Sequence, residues 1–136
     1  MPSGHCLCGA VKIEVLGDPV AVGLCHCLDC RKTSGSTHSL NWFVPADLVQ
    51  LEGPSQTFTK LSNAENPIIN TFCPTCGTTV FREGPAAPGI KFVKAGIFDD
   101  PVVINTVKPQ GEIFTSRRPT WMTSVAGASQ KKGMFE

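Results

Sequence analysis

Short runs of alternating apolar and polar residues dominate the chain. Val11, Ile13 and Val15 alternate with Lys12 and Glu14, the period-two pattern of a half-buried strand. The turn signal Gly17-Asp18-Pro19 leads into a second strand over residues 20–24. Residues 39–44, 48–51, 57–61, 67–72, 78–82 and 90–95 read as further strands, with weaker ones at 102–107 and 112–115. The Pro- and Gly-rich stretch 83–89 interrupts the pattern. Only residues 27–33 leave room for a helical turn, because 13 Gly and 11 Pro disfavour long helices. The pattern predicts an all-β fold of short strands with little helix. It forms one domain over 1–124, and the small, polar, aperiodic stretch 125–136 is expected to be a flexible tail.

Composition narrows the class. A chain of 136 residues is one domain in size, large enough to bury about two thirds of its surface. Twelve Lys+Arg against 11 Asp+Glu give a net charge of +1, which argues against a general nucleic-acid binder, as does the absence of Tyr for base stacking. No apolar run approaches the ~18 residues of a membrane span. The opening Met1-Pro2-Ser3-Gly4-His5-Cys6 does not read as a secretory signal, so a cytoplasmic protein is expected.

Seven cysteines fall into three clusters: Cys6 and Cys8; Cys25, Cys27 and Cys30; Cys73 and Cys76. An odd number of cysteines, so closely spaced, fits metal ligation better than disulfides. Cys73-Pro74-Thr75-Cys76-Gly77 has the form of a zinc knuckle, in which a tight turn aims both sulfurs at one point. In Cys6-Leu7-Cys8, an extended chain would place both thiols on one face. Two such pairs make a closed, structural four-thiolate set. Cys25-His26-Cys27-Leu28-Asp29-Cys30 offers three thiols, the ligand count of a catalytic zinc with an open position. His26 could complete that set instead, although on an extended strand its side chain would point away from the two flanking cysteines. Spacing also permits Cys6 and Cys8 to join two of the central trio.

Three blocks carry a family resemblance: Gly4-His5-Cys6-Leu7-Cys8-Gly9-Ala10-Val11; Cys25-His26-Cys27-Leu28-Asp29-Cys30-Arg31-Lys32-Thr33-Ser34-Gly35-Ser36; and Phe72-Cys73-Pro74-Thr75-Cys76-Gly77-Thr78-Thr79-Val80-Phe81. With weaker echoes at 93–99 and 118–121, the chain resembles the glutathione-dependent formaldehyde-activating family, which also contains centromere protein V. The resemblance implies a β-tent of short twisted antiparallel sheets stapled by zinc. It implies a structural zinc on Cys6, Cys8, Cys73 and Cys76, and a second zinc, linked to activity, on Cys25, Cys27 and Cys30. It also implies condensation of glutathione with formaldehyde to S-hydroxymethylglutathione, an activity classed as a carbon–sulfur lyase.

A three-thiolate zinc carries a formal charge of −1 and suits a soft fourth ligand such as a substrate thiol. Glutathione brings two carboxylates and an amine, so cations and donors are expected near the trio. Arg31, Lys32 and Ser34 are the candidates, with Thr33 and Ser36 beside them. His38 is a candidate proton shuttle, Trp42 and Trp121 candidate pocket walls, and Arg117 and Arg118 candidate carboxylate contacts. The expected partners are thus a thiol and a small aldehyde, with neither nucleic acid nor membrane; a homo-oligomer is compatible with this reading. The competing function is a non-catalytic, zinc-stabilised β domain that binds a protein. It gains little from a three-cysteine site with a vacant corner.

Overall fold

The computed structural model describes residues 2–62 and 64–134. The elements run β1 (Ser3–His5), β2 (Lys12–Val15), β3 (Ala21–Cys25), α1 (Leu28–Ser34), β4 (Ser39–Pro45), β5 (Val49–Glu52), β6 (Gln56–Leu61), β7 (Pro67–Phe72), β8 (Thr79–Glu83), β9 (Ile90–Lys94), α2 (Pro101–Thr106), β10 (Gly111–Ile113) and β11 (Ser129–Gln130). Strands β1, β2 and β5 form a small antiparallel sheet in the order β1-β2-β5. The other eight form one open sheet in the order β11-β10-β3-β4-β9-β8-β7-β6. The fold is therefore mostly β with little helix, as the alternation predicts. One edge departs from the antiparallel expectation, since β10 runs parallel to both β3 and β11.

Alternation assigns each residue its face. Val11, Ile13 and Val15 of the small sheet join Val22, Trp42, Val44, Val80 and Val93 of the large one in a single core. Each fully buried aliphatic side chain contributes about 1.5–3 kcal/mol. Trp42 also packs on Phe98 at 4.8 Å between ring centroids. On the central strands the intervening positions face the other way. Pairing sets Cys25 opposite Ser39, Gly23 opposite Asn41, Asn41 opposite Lys94, and Phe43 opposite Phe92. The period of two thus separates an apolar core from a face that carries sulfur, amide and ammonium groups.

Three segments differ from the sequence expectation. Residues 102–107 are not a strand: α2 begins there because the Asp100 carboxylate accepts the Val102 N–H at 3.0 Å and Pro101 opens the helix. This local cap prevails over the β-branched composition. Strand β1 has no alternating pattern of its own and forms by pairing with β2. Its Gly4 also bridges to Phe98, so closely that a Cβ would collide with the Ile97 carbonyl.

The third difference is the expected flexible tail over 125–136, which instead returns to the sheet. Ser129 and Lys131 donate to Gln110 and Glu112 carbonyls at 3.0 and 2.9 Å, and Phe114 donates to Gly133 at 3.1 Å. This pairing uses backbone groups, and the strand's two side chains are exposed, so it leaves no periodic signal. Phe135 and Glu136 lie outside the described residues. Among the described residues, no helix is long and apolar enough to cross a membrane.

Candidate metal centres and an adjoining cavity

The first cluster gathers Cys6 and Cys8, from the β1–β2 connection, with Cys73 and Cys76, from the β7–β8 connection. Of the alternative pairings, this is the one that forms. Cys6-Leu7-Cys8 is a turn rather than an extended segment, closed by the Gly9 N–H on the Cys6 carbonyl at 2.9 Å. The second arm closes similarly, with the Gly77 N–H on the Cys73 carbonyl at 2.8 Å, and Gly77 takes the φ of 79° that the turn demands. The Leu7 N–H reaches the Thr78 hydroxyl at 3.1 Å and ties the arms together.

The donor set fits a tetrahedral ion. Sulfur separations of 3.6 Å (Cys6–Cys8) and 3.7 Å (Cys8–Cys73) match the edge of about 3.8 Å that zinc–sulfur bonds of about 2.3 Å generate. The electrostatics agree. Hydrogen bonds from Thr78 bring the Cys76 thiol down to about 5. The Ala10 N–H favours the Cys8 thiolate, but the sulfurs of Cys6, Cys73 and Cys76 outweigh it and push Cys8 up to about 11. Thiols this close cannot all ionise unless a cation joins them.

Cys25, at the end of β3, meets Cys27 and Cys30 at the start of α1, again with all sulfurs within 4.8 Å. Cys27 is the N-cap of α1, its sulfur accepting the Cys30 N–H at 3.3 Å, so one thiol both starts the helix and joins the cluster. Hydrogen bonds from Cys25 and Cys27, then the nearby ammonium of Lys94, hold the Cys30 thiol far below its ordinary range despite burial. The Cys27 and Cys30 sulfurs, together with burial, push Cys25 well above it. His26 does not join the sulfurs. Its Nε2 meets Glu112 Oε1 at 2.8 Å, and both side chains are wholly buried.

The trio opens onto a cavity of about 590 Å³, within the range of small-molecule sites. Phe43 and Phe92, edge to face at 4.9 Å, supply apolar wall. Lys94 reaches in from β9, its Nζ 2.7 Å from Asn41 Oδ1, 3.4 Å from Ser39 Oγ and 4.0 Å from Cys30 Sγ. Burial lowers the Lys94 ammonium below its usual range, and the Cys30 thiolate partly restores it. Asp29 accepts from Lys60 at 2.6 Å and from Arg82 at 3.3 Å.

Several expected site residues lie elsewhere. Arg31 and Lys32 are exposed on the last turn of α1, and the Ser34 hydroxyl donates to the Cys30 and His38 carbonyls. His38 bonds to Thr37 and, with Thr33 and Ser34, lines a different cavity. Trp42 belongs to the core and Trp121 is exposed. Arg117 does line the sulfur-bearing cavity, whereas Arg118 lies 3.5 Å from Glu112. The cavity's other cations, Lys60, Arg82 and Lys94, were missed because they come from β6, β8 and β9, far from the trio in sequence. Lys94 alone leaves a trace, in parity, since it and its cross-strand partner Asn41 interrupt runs of apolar residues.

A family model for glutathione-dependent formaldehyde-activating enzymes matches residues 1–117. The chain belongs to that family. A Talaromyces marneffei protein, named as a candidate glutathione-dependent formaldehyde-activating enzyme, is 34% identical over 101 residues, which cover 70% of this chain and 53% of that one. The chain thus spans about half the length of the curated relative it matches. The crystal structure of a Rhodobacter sphaeroides protein shares the fold, with a TM-score of 0.57 at 21% identity, over 75% of this chain and 94% of its own. The family match ends before β11, so the segment that completes the sheet edge lies outside it.

Proposed function

We propose that this family member condenses a glutathione-type thiol with formaldehyde or a related small aldehyde, a reaction whose reverse is that of a carbon–sulfur lyase. The observation carrying the reading is the unequal completeness of the two sulfur clusters. Four thiols form a closed set between the sheets, while three line the wall of a ligand-sized cavity. Cys6, Cys8, Cys73 and Cys76 would hold a structural zinc, and Cys25, Cys27 and Cys30 a second one with an open position. When bound there, zinc keeps a neighbouring thiol deprotonated at neutral pH.

The chain's own groups do the rest. The cavity holds thiol and aldehyde together, which removes the entropic cost of a bimolecular encounter. The aromatic wall excludes water, and the Lys94 ammonium offsets the negative charge of the sulfurs and of the oxygen that gains charge. A sulfur lone pair forms the new S–C bond, and the carbonyl π pair moves onto oxygen. That oxygen takes up one proton for the one the thiol gave up, so no oxidant or reductant is needed. A reducing compartment such as the cytoplasm, where thiols stay free, suits this chemistry.

The test is formation of S-hydroxymethylglutathione from glutathione and isotope-labelled formaldehyde, followed by NMR exchange. Acceleration over buffer by wild-type protein, absent in Cys27→Ser, is the expected result. Fully metallated protein giving no acceleration would leave the alternative, a zinc-stabilised domain that binds a protein partner.

A further inference from the structure

The cavity wall beyond the sulfurs carries an arrangement that the reaction itself does not require. Lys60 of β6, Arg82 of β8 and Arg117 reach the same cavity as the trio, and with Lys94 the cations outnumber the lining carboxylates, Asp29 and Glu83. Arg82 is largely buried, with 14% of its side chain exposed, and is fixed on two sides. Its Nε donates to Asn70 Oδ1 at 3.2 Å and its Nη2 to Asp29 Oδ2 at 3.3 Å. The rest of its fork has no partner among the described residues. Arg117 has no ion-pair partner among them either. Asp29 lies on α1 between Cys27 and Cys30, so the Lys60–Asp29–Arg82 cluster is tied to the helix that presents the sulfurs.

We infer that Arg82 and Lys60, held in place by Asp29 and Asn70, form a carboxylate subsite that selects anionic thiols. This rests on the reading of the cavity as a thiol-substrate site and names what that substrate must carry. A largely buried guanidinium with one edge left free is suited to a planar anion, because its fork is already oriented and little side-chain freedom remains to be lost. Formaldehyde has no group for it. The subsite therefore reads the thiol partner and sets KM more than kcat.

The test is calorimetric titration of the fully metallated chain with S-methylglutathione, which keeps both carboxylates but has no thiol to ligate. The comparison ligand is its diethyl ester. Wild-type protein is expected to bind the acid and to bind the ester at least about tenfold more weakly. Arg82→Gln should weaken the acid by a similar factor and leave the ester unchanged, with Arg82→Lys between them. Lys60→Gln, at a half-exposed position that leaves folding intact, should weaken the acid by a smaller factor. Equal affinity for acid and ester, or acid binding unchanged in both Gln variants, overturns the subsite. Failure of wild-type protein to bind S-methylglutathione, with Arg82-dependent binding of a smaller carboxylated thiol such as mercaptosuccinate, upholds the subsite and removes glutathione from the proposed function.

Discussion

His26 and Glu112 meet at 2.8 Å with neither side chain reaching solvent, so the residue between Cys25 and Cys27 is fixed by a carboxylate on the neighbouring parallel strand. Removing one partner from such a buried pair costs about 3–5 kcal/mol, because the other is left uncompensated. Glu112→Ala is therefore expected to lower the unfolding free energy, read by urea titration, by an amount in that range and to loosen metal at the trio. Glu112→Gln, which keeps shape and some hydrogen bonding, should lose less. Wild-type stability in Glu112→Ala would show that the contact carries nothing.

The same carboxyl makes stability depend on pH. Burial works to raise it, but hydrogen bonds from Gln130, the Val125 N–H and His26, with Arg118 nearby, prevail and hold it at about 2. In the unfolded chain a glutamate titrates at about 4.3. The unfolded state thus takes up the proton first, and the contribution is full above that value and lost as pH falls toward about 2. The stability difference between wild type and Glu112→Gln should be constant above pH ~5 and shrink between ~4.5 and ~2. A difference flat across that window contradicts the assignment.

Ending the chain at Ser124 would remove the Val125 N–H at 2.8 Å and the Gln130 amide at 2.7 Å from Glu112, together with the β11 pairing. Two hydrogen bonds to a charged group amount to about 3–6 kcal/mol. The truncated chain is expected to melt at lower temperature and to retain metal at the four-thiol cluster while losing it at the trio. A truncated chain with full stability and two tightly held ions would reinstate the flexible-tail reading.

What the sequence made legible follows from range. The knuckle around Gly77 and the alternation of residues 11–15 are local, and spacing alone discloses them. So is the exclusion of His26 from the sulfurs, which parity foretold. The cap at Asp100 was equally local, yet the β-branched run after it pointed to a strand. The cavity is a different matter. Lys60, Arg82, Lys94 and Glu112 become neighbours of the trio only through strand order, and pairing between distant strands leaves no local mark. Arg31 and Lys32 adjoin Cys30 in sequence, but α1 turns them to solvent.

The two clusters should fail differently. The four-thiol set joins the small sheet to the large one across 65 residues between Cys8 and Cys73, and a metal held there would contribute directly to folding. Cys73→Ser is expected to abolish the cooperative unfolding transition. Cys27→Ser should keep a folded domain with one ion instead of two and no activity. A chelator should strip the trio first, because it offers one thiolate fewer. Equal loss of structure in both variants, checked by near-ultraviolet circular dichroism and metal analysis, would remove the division of labour.

Lys94 is the last residue for which geometry and chemistry point one way. Asn41 and Ser39 hold its ammonium beside Cys30, in a place where burial disfavours a charge, and Asn41 is its direct partner across β4 and β9. A cation retained at such a cost in desolvation is well placed to stabilise charge that would grow during the proposed condensation. Removing one preorganised donor of this kind typically lowers turnover by about 10²–10³. Lys94→Met should lower kcat by that order while the protein still holds two ions and binds S-methylglutathione normally. Lys94→Arg, which keeps the charge but not the compact head, should recover part of the loss. If Lys94→Met instead weakens thiol binding and spares kcat, Lys94 serves ground-state binding alone, and stabilisation of the growing charge must come from elsewhere.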